Sequence, residues 1–339
     1  MIRTTPSTSM NALSNGFVDR QKLRDLQNKV NEIYRSESRS ELMRETISES
    51  IKKLPHIEVR YADRFIGDLS KNRELVLALG DIHYGADIHV EGLNGDTINK
   101  FNSEVFEIRM EKLLDETVDI ITKYQIQRVH VFFVGDLLDG MLRQSQLMRL
   151  EYGLVDSTMY FSEYMAKWLA ELSRYTNEVE VYAASGNHSE VRPLKSKKRE
   201  FSDENMERIV MWFLEARLRD STKITIHADC KKYVKANVLG YSFLLLHGDS
   251  EKDIQDVATE TIRLYKQPID FFVCGHKHRE NEYPSGSTPN GDSIVIRTPS
   301  ICGTDSYAHS KGYCGRAGAT AIVMEKGYGR RCVFPINLQ

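Results

Sequence analysis

The chain has 339 residues, enough for one large domain or two ordinary ones with ample core. Its hydrophobic share of 41% is that of a soluble globular protein, and no run approaches the roughly 18 apolar residues that a membrane span needs. A formal net charge of −2 excludes a generally basic protein, so any nucleic-acid contact must come from a local basic patch.

Residues 1–16 are polar, rich in Ser and Thr, without the apolar core of a secretory leader, and read as a disordered tail. The five cysteines form no CxxC pair, which fits a reduced, cytoplasmic setting; Cys274 sits in an apolar run and reads as core. Residues 17–70 form a helical N-terminal segment. Leu23, Leu26, Val30 and Ile33 follow a three-four spacing. Ser38 to Glu41 resembles a capping box, and Leu42, Met43, Ile47, Ile51 and Leu54 then face inward until Pro55 stops the helix. This segment can pack on the main domain, form a homo-oligomer contact, or bind a partner.

Residues 71–339 form the main domain. Strand Leu75 to Gly80 precedes a long helix, Ser103 to Tyr124, and then the apolar strand Val131 to Val134. A helix from Asp156 to Arg174, a strand from Val179 to Ala184 and a helix from Asp203 to Arg219, capped by Asp203, continue the alternation. Three β-like segments reach His247, a helix runs from Asp253 to Lys266, strand Phe271 to Cys274 follows, and the tail from Ser293 is β-rich. The pattern predicts an α/β fold, a layered α/β sandwich with mixed sheets.

Five apolar runs each end in Gly or a small turn and then in Asp, His or Asn. They are Gly80-Asp81-Ile82-His83, Gly135-Asp136-Leu137-Leu138-Asp139, Gly186-Asn187-His188, His247-Gly248-Asp249 and Gly275-His276-Lys277-His278. Asp81 and His83 lie two apart and point the same way in extended backbone, a carboxylate-imidazole pair suited to a transition metal. Asn187 offers a neutral carbonyl oxygen to a hard cation. Alone, each cluster is an ordinary turn, cap or strand-end His. Together they place metal ligands at the carboxyl ends of strands, where open α/β sheets bind ligands, with Asp136 bridging two ions. His89 is left open as a substrate contact, and His56, His130, His227 and His309 lie outside the pattern.

In order and type the five blocks, spanning about residues 74 to 280, resemble the calcineurin-like metallophosphoesterases. The resemblance implies two mixed β-sheets flanked by helices and a binuclear centre. Asp81, His83 and His278 would bind one metal, Asn187, His247 and His276 the other, and Asp136 both. His188 would be the catalytic acid, oriented by Asp139. Two cations about 3.5–4 Å apart can share a hydroxide and hold the attacking and leaving oxygens in line. Mixed nitrogen and oxygen ligands suit manganese, iron or zinc better than calcium; the resemblance to manganese-using nucleases makes manganese the first choice, with iron, zinc or magnesium as alternatives. The chain departs from the family pattern in two places. Ser189 stands where many members carry an acid after Gly-Asn-His, and Gly140 stands where protein phosphatases carry Arg, with Arg143 a substitute substrate anchor.

Beyond the third block lie Arg192, Lys195, Lys197, Lys198 and Arg199, five cations in eight residues. Such a stretch is a solvated loop in most proteins; beside a phosphoesterase centre it suits a polyanion. Within the family the chain looks most similar to SbcD-type DNA-repair exonucleases and to stand-alone bacteriophage forms. The expected function is a Mn-dependent DNA nuclease in the cytoplasm of a bacterial or phage-infected cell, with DNA as substrate and no membrane partner. A cyclic-nucleotide phosphodiesterase is the enzymatic alternative, and a protein phosphatase or a non-catalytic scaffold stands further off.

Overall fold

The computed structural model describes residues 72–140, 150–191, 203–249, 254–310, 312 and 315–339, together with Arg24, Gln27, Leu42, Glu45, Thr46, residues 48–55 and Ile57. The chain divides into two units, Met1–Pro55 and His56–Gln339. In the first, residues 48–53 are helical. Thr46 Oγ1 and Ser50 Oγ donate to the carbonyls of Leu42 and Thr46 at 2.8 and 2.9 Å, the i−4 geometry of a helix. The helix ends before Pro55, which cannot supply the next N–H. Ile51 is buried, but Leu42, read from the sequence as inward, is 64% exposed. The seam Leu23, Leu26, Val30 and Ile33 lies outside the described residues.

The second unit runs β1 (Arg73–Leu79), β2 (Ile88–Glu91), β3 (Thr97–Phe101), α1 (Ser103–Tyr124), β4 (Arg128–Phe133), α2 (Leu154–Leu172), β5 (Glu178–Ala183), α3 (Met206–Leu218) and β6 (Ile224–Ile226). It continues with β7 (Tyr233–Val238), β8 (Tyr241–Leu246), α4 (Ile254–Tyr265), β9 (Phe271–Cys274), β10 (Asn281–Thr288), β11 (Gly291–Arg297), α5 (Ser306–Ser310), β12 (Gly318–Glu325) and β13 (Gly329–Asn337). One sheet has the order β13-β12-β1-β4-β5-β6, the other β10-β11-β9-β8-β7. In the first, β1, β4, β5 and β6 run parallel and β12 and β13 add an antiparallel flank; in the second, β11, β9 and β8 run parallel between antiparallel β10 and β7, so both sheets are mixed.

Strand alternation builds the layers. Along β4, Val129, Val131 and Phe133 join the core that also contains buried residues of α1, α2 and α3. Phe132 and Val134 point the other way and meet Phe243, Leu245, Phe271 and Val273 of the second sheet. The outer face of that second sheet, with Leu244, Leu246 and Phe272, is covered by Ile254, Val257 and Ala258 of α4. The result is an α/β sandwich of two mixed sheets flanked by helices. Because β1, β4 and β5 are parallel, as are β8 and β9, the carboxyl ends of each set fall along one edge of their sheet.

The helix boundaries have local causes. Asn102 caps α1, accepting from Val105 N at 3.0 Å, and Gln125 closes it in the left-handed region at φ 54°. For α3 the cap is Asn205, which accepts from Glu207 N at 2.9 Å, and not the expected Asp203, whose carbonyl instead accepts from Arg208. The β2–β3 hairpin was not foreseen from the sequence. It is tied down by Asn99, which donates to the carbonyls of Cys302 and Thr304 at 2.9 Å each and accepts from Arg109 at 2.9 Å. Among the described residues no helix is long and apolar enough to cross a membrane.

Candidate metal centre

The five strand-end turns interlock through their backbones. Asp81 N donates to Gly135 O, His83 N to Asp136 O, Tyr84 N to Leu137 O and Asp139 N to Tyr84 O, all within 2.9–3.1 Å. His276 N donates to Asp81 Oδ2 at 2.7 Å, and His188 N to Asp136 Oδ1 at 2.8 Å. Asp81, His83, Asp136, His276 and His278 all hold positive φ, between 49° and 70°. That backbone region is unfavourable for non-glycine residues and persists where the surroundings enforce it, commonly at functional sites. Gly135 exits β4 at φ 87°, and a Cβ at Gly186 would collide with the backbone nitrogen and Oδ1 of Asp136. These glycines permit the close approach of the second and third turns.

The side chains converge accordingly. Asp81, His83 and His278 each present a donor atom, all within 4.8 Å of one another; so do Asp136, His247 and His276, and so do His83, Asp136 and His188. His278 Nε2 lies 3.5 Å from Asp81 Oδ1, and His83 Nε2 lies 3.9 Å from both Asp81 Oδ1 and Asp136 Oδ2. On the other side, Asp136 Oδ2 is 2.9 Å from His247 Nε2, which is 3.2 Å from His276 Nδ1. Two donors each about 2.1 Å from a shared ion stand roughly 3.0–3.6 Å apart at ordinary coordination angles. Asp136 Oδ2 belongs to both groups while Oδ1 is occupied by the His188 amide, an arrangement suited to a bridging oxygen.

The donors are also prepared as ligands. His247 Nδ1 donates to Val134 O at 2.9 Å and His278 Nδ1 to Gly303 O at 3.1 Å, which leaves each Nε2 lone pair directed at the cluster. Asp81 Oδ1, His83 Nε2 and Asn187 Oδ1 are buried with no hydrogen-bond partner. Buried polar atoms are normally satisfied. Three unsatisfied ones of ligand type on these interlocked turns fit a pair of divalent cations.

Electrostatics agree with that fit. Burial works to raise Asp81 and Asp136, but neighbouring imidazoles, chiefly His278 for Asp81 and His247 for Asp136, hold both below the usual carboxylate range. Burial works to lower His247 and His278. The carboxylates prevail, carrying His247 up to about 10 and His278 well above its ordinary value. His276, half-buried beside His247, falls to about 4. Where no cation is bound, protons compensate the carboxylates.

His188 stands at the rim, its side chain 20% exposed. Its Nδ1 is 2.7 Å from Asp139 Oδ1, which also lies 3.7 Å from His83 Nδ1. Burial works to lower His188, but Asp136 and Asp139 raise it. Asp139, raised by burial, is held low by its hydrogen bond to His188 and by the neighbouring His83 imidazole. All nine residues expected at the centre, Asp81, His83, Asp136, Asp139, Asn187, His188, His247, His276 and His278, therefore lie on the interlocked turns. The expected substrate contacts Arg143, Arg192, Lys195, Lys197, Lys198 and Arg199 lie outside the described residues. His89 is exposed and paired with Glu91 at 3.3 Å, and Cys274 is core as expected.

Glu207 was missed. It is fully buried and accepts from Leu137 N, Gly186 N and Ser189 Oγ at 2.8, 2.7 and 2.9 Å. Burial and the charge of Asp136 push its carboxyl above the ordinary value. In sequence it is an acid in the first turn of a helix, a commonplace position that carries no pointer to the site.

The model of the calcineurin-like phosphoesterase family matches residues 75–280, and the chain belongs to that family. It is thus a phosphoesterase of a class that uses divalent metal ions. Among individual proteins it is similar to the SPbeta prophage-derived uncharacterized protein YonJ of Bacillus subtilis (strain 168). The two are 28% identical over 316 residues, covering 92% of this chain and 76% of that protein. Similar solved structures include an archaeal phosphodiesterase (9% identity, 77% of this chain and 99% of the other, TM-score 0.38). Another is Vacuolar Protein Sorting 29 from Cryptosporidium parvum (14% identity, 78% and 99%, TM-score 0.35).

Proposed function

We propose that the chain is a binuclear metal-dependent phosphodiesterase that cleaves DNA. The observation that carries the metal-dependent part is the buried, unsatisfied donor set: Asp81 Oδ1, His83 Nε2 within 3.9 Å of both Asp81 and Asp136, and Asn187 Oδ1 on the turn after β5. Asp81, His83 and His278 would hold one cation, Asn187, His247 and His276 would hold the second, and the Asp136 carboxylate would serve both. When bound, the pair supplies an activated water and neutralises charge on the phosphoryl oxygens. Asp136 and Asp139 favour the protonated form of His188, which would hand its Nε2 proton to the leaving oxygen. Asp139 fixes the ring by accepting from Nδ1–H. Manganese suits the mixed nitrogen and oxygen donors.

DNA is favoured as substrate by the cation stretch Arg192 to Arg199, four residues after His188, and by the resemblance to SbcD-type exonucleases. The likeness to a prophage-derived protein is in keeping with a phage enzyme. The deciding experiment supplies Mn²⁺ and compares DNA, cyclic nucleotides and simple mono- and diesters side by side. DNA cleavage abolished by chelation is the expected result. Turnover of cyclic nucleotides with DNA untouched would replace DNA by a small diester.

A further inference from the structure

We propose that Glu207 is a positioning residue for the metal centre: a carboxylate delivered from α3 that locks the turn bearing Asp136 to the turn bearing Asn187 and His188. The inference rests on the metal-ligand reading above and adds a residue outside the five strand-end motifs. One Glu207 oxygen accepts from Leu137 N and Ser189 Oγ, and the other accepts from Gly186 N. The first group belongs to the residue after Asp136, the last to the residue before Asn187. A single buried side chain thus spans the turn of the shared ligand Asp136 and the turn of the ligand Asn187.

The start of α3 is built to hold that carboxylate in place. Asn205 Nδ2 donates to Gly186 O at 2.9 Å, Met206 N donates to Ser189 O at 2.9 Å, and Asn205 Oδ1 caps Glu207 N. The helix end and the Gly186–Ser189 turn therefore move as one body. The Ser189 side chain contributes only a hydroxyl here. Its Oγ lies 2.9 Å from the Glu207 carboxylate, so an acid at 189 would begin beside the same backbone donors. The negative charge that the two turns need is supplied across 18 residues of chain instead of from within the turn.

All three groups facing Glu207 are donors, which dictates the test. Glu207→Gln keeps size but replaces one accepting oxygen by an NH₂ that cannot accept, so one turn loses its tie. Titration of the purified full chain with Mn²⁺ alone, by calorimetry and elemental analysis, should show affinity falling about 10–100-fold, the usual cost of disturbing a group that orients ligands. Val210→Ala, a core truncation on the same helix, should lower the melting temperature without changing the Mn²⁺ affinity of the folded chain. The exchange Ser189→Glu with Glu207→Ser should recover at least about tenfold of what Glu207→Ser loses, while Ser189→Glu alone should bind Mn²⁺ worse than wild type. Should Glu207→Gln not fold, recovery of folding and Mn²⁺ binding by the exchange variant supports the role and its absence overturns it. Wild-type affinity in a folded Glu207→Gln chain, or an exchange no better than Glu207→Ser, overturns the role of Glu207 alone. A wild-type chain that takes up no Mn²⁺ overturns the metal reading itself.

Discussion

Asp136 carries the sharpest consequences of any single residue. Its Oδ2 faces His247 and stands within the reach of His83, and its Oδ1 is committed to the His188 amide. Asp136→Asn keeps the shape but removes the charge shared by both positions. Elemental analysis should find both metals depleted and turnover abolished; two metals per chain with wild-type turnover would sink the bridging role. Proton release is a second readout. His247, raised to about 10, and His278, raised well above its usual value, hold their protons more tightly than free imidazoles where no cation is bound. Each cation must displace those protons, so Mn²⁺ affinity should climb as pH rises from about 6 to 8. Calorimetry in buffers of different ionisation enthalpy should register net proton release. His188→Ala should behave differently, because its proposed part is proton delivery. Both metals should remain while hydrolysis of an alkyl ester slows by about 10²–10⁴. A nitrophenyl ester, whose leaving group needs little protonation, should lose much less; equal losses would remove the acid role. The motif residues were legible in sequence because each follows an apolar strand. Glu207 was not, because its three donors, two backbone N–H groups and the Ser189 hydroxyl, lie far along the chain.

At the scale of elements, the second sheet depends on a polar clasp as well as on its apolar faces. Asp270, buried just before β9, accepts from Ser242 N at 2.7 Å, Ser242 Oγ at 2.8 Å, Thr288 Oγ1 at 2.5 Å and Asn290 Nδ2 at 3.2 Å. It joins the start of β8 to the turn of the β10–β11 hairpin. Burial works to raise its carboxyl, but those donors, Thr288 foremost, hold it lower than an ordinary Asp. A lowered native pKa means that the ionised form stabilises the fold at pH values above the ordinary Asp range. That contribution is lost as pH falls through the native value. Asp270→Ala leaves several donors unanswered and should cost about 1–3 kcal/mol in urea unfolding at pH 7. Near pH 3 the gap between variant and wild type should narrow; a gap independent of pH would count against the ionised clasp. Elements of this kind explain what sequence patterning reached and what it did not. Strands such as β4 and β8 announce themselves by apolar runs. The β2–β3 hairpin has short strands, with register shifted between Val90 and Glu91, and is anchored by Asn99 to carbonyls some 200 residues away. Such an anchor has no local signature. The cap of α3 moved from Asp203 to Asn205 for a similar reason: Asn205 also has to reach Gly186 O.

For the whole molecule, the two sheets matter as one frame, since His247, His276 and His278 follow strands of one sheet and Asp81, Asp136 and Asn187 follow strands of the other. Fully buried Phe132 lies between them, 5.6 Å from the ring of Phe243. The overall sandwich was readable because parallel βα alternation brings successive strand ends to a common edge. Charge at this scale bears on the choice of substrate. With a net charge of −2 the chain has no general attraction for a polyanion, so a DNA-cleaving enzyme must concentrate its cations where the polymer lies. The stretch Arg192 to Arg199 meets that need by sequence, close behind His188. Replacing Lys195, Lys197, Lys198 and Arg199 together by Gln should therefore weaken DNA binding and flatten its salt dependence. The log–log slope should lose about 0.7–0.9 for every phosphate contact removed. Hydrolysis of a small diester should hardly change, because contacts to a distant backbone position the polymer and leave the bond-breaking groups as they were. The pair of measurements separates two enzymes that share one centre. If the quadruple variant cuts DNA as well as wild type at moderate salt, the stretch is solvated surface. If both substrates slow equally, its cations serve the reaction centre itself and not the track of a polymer.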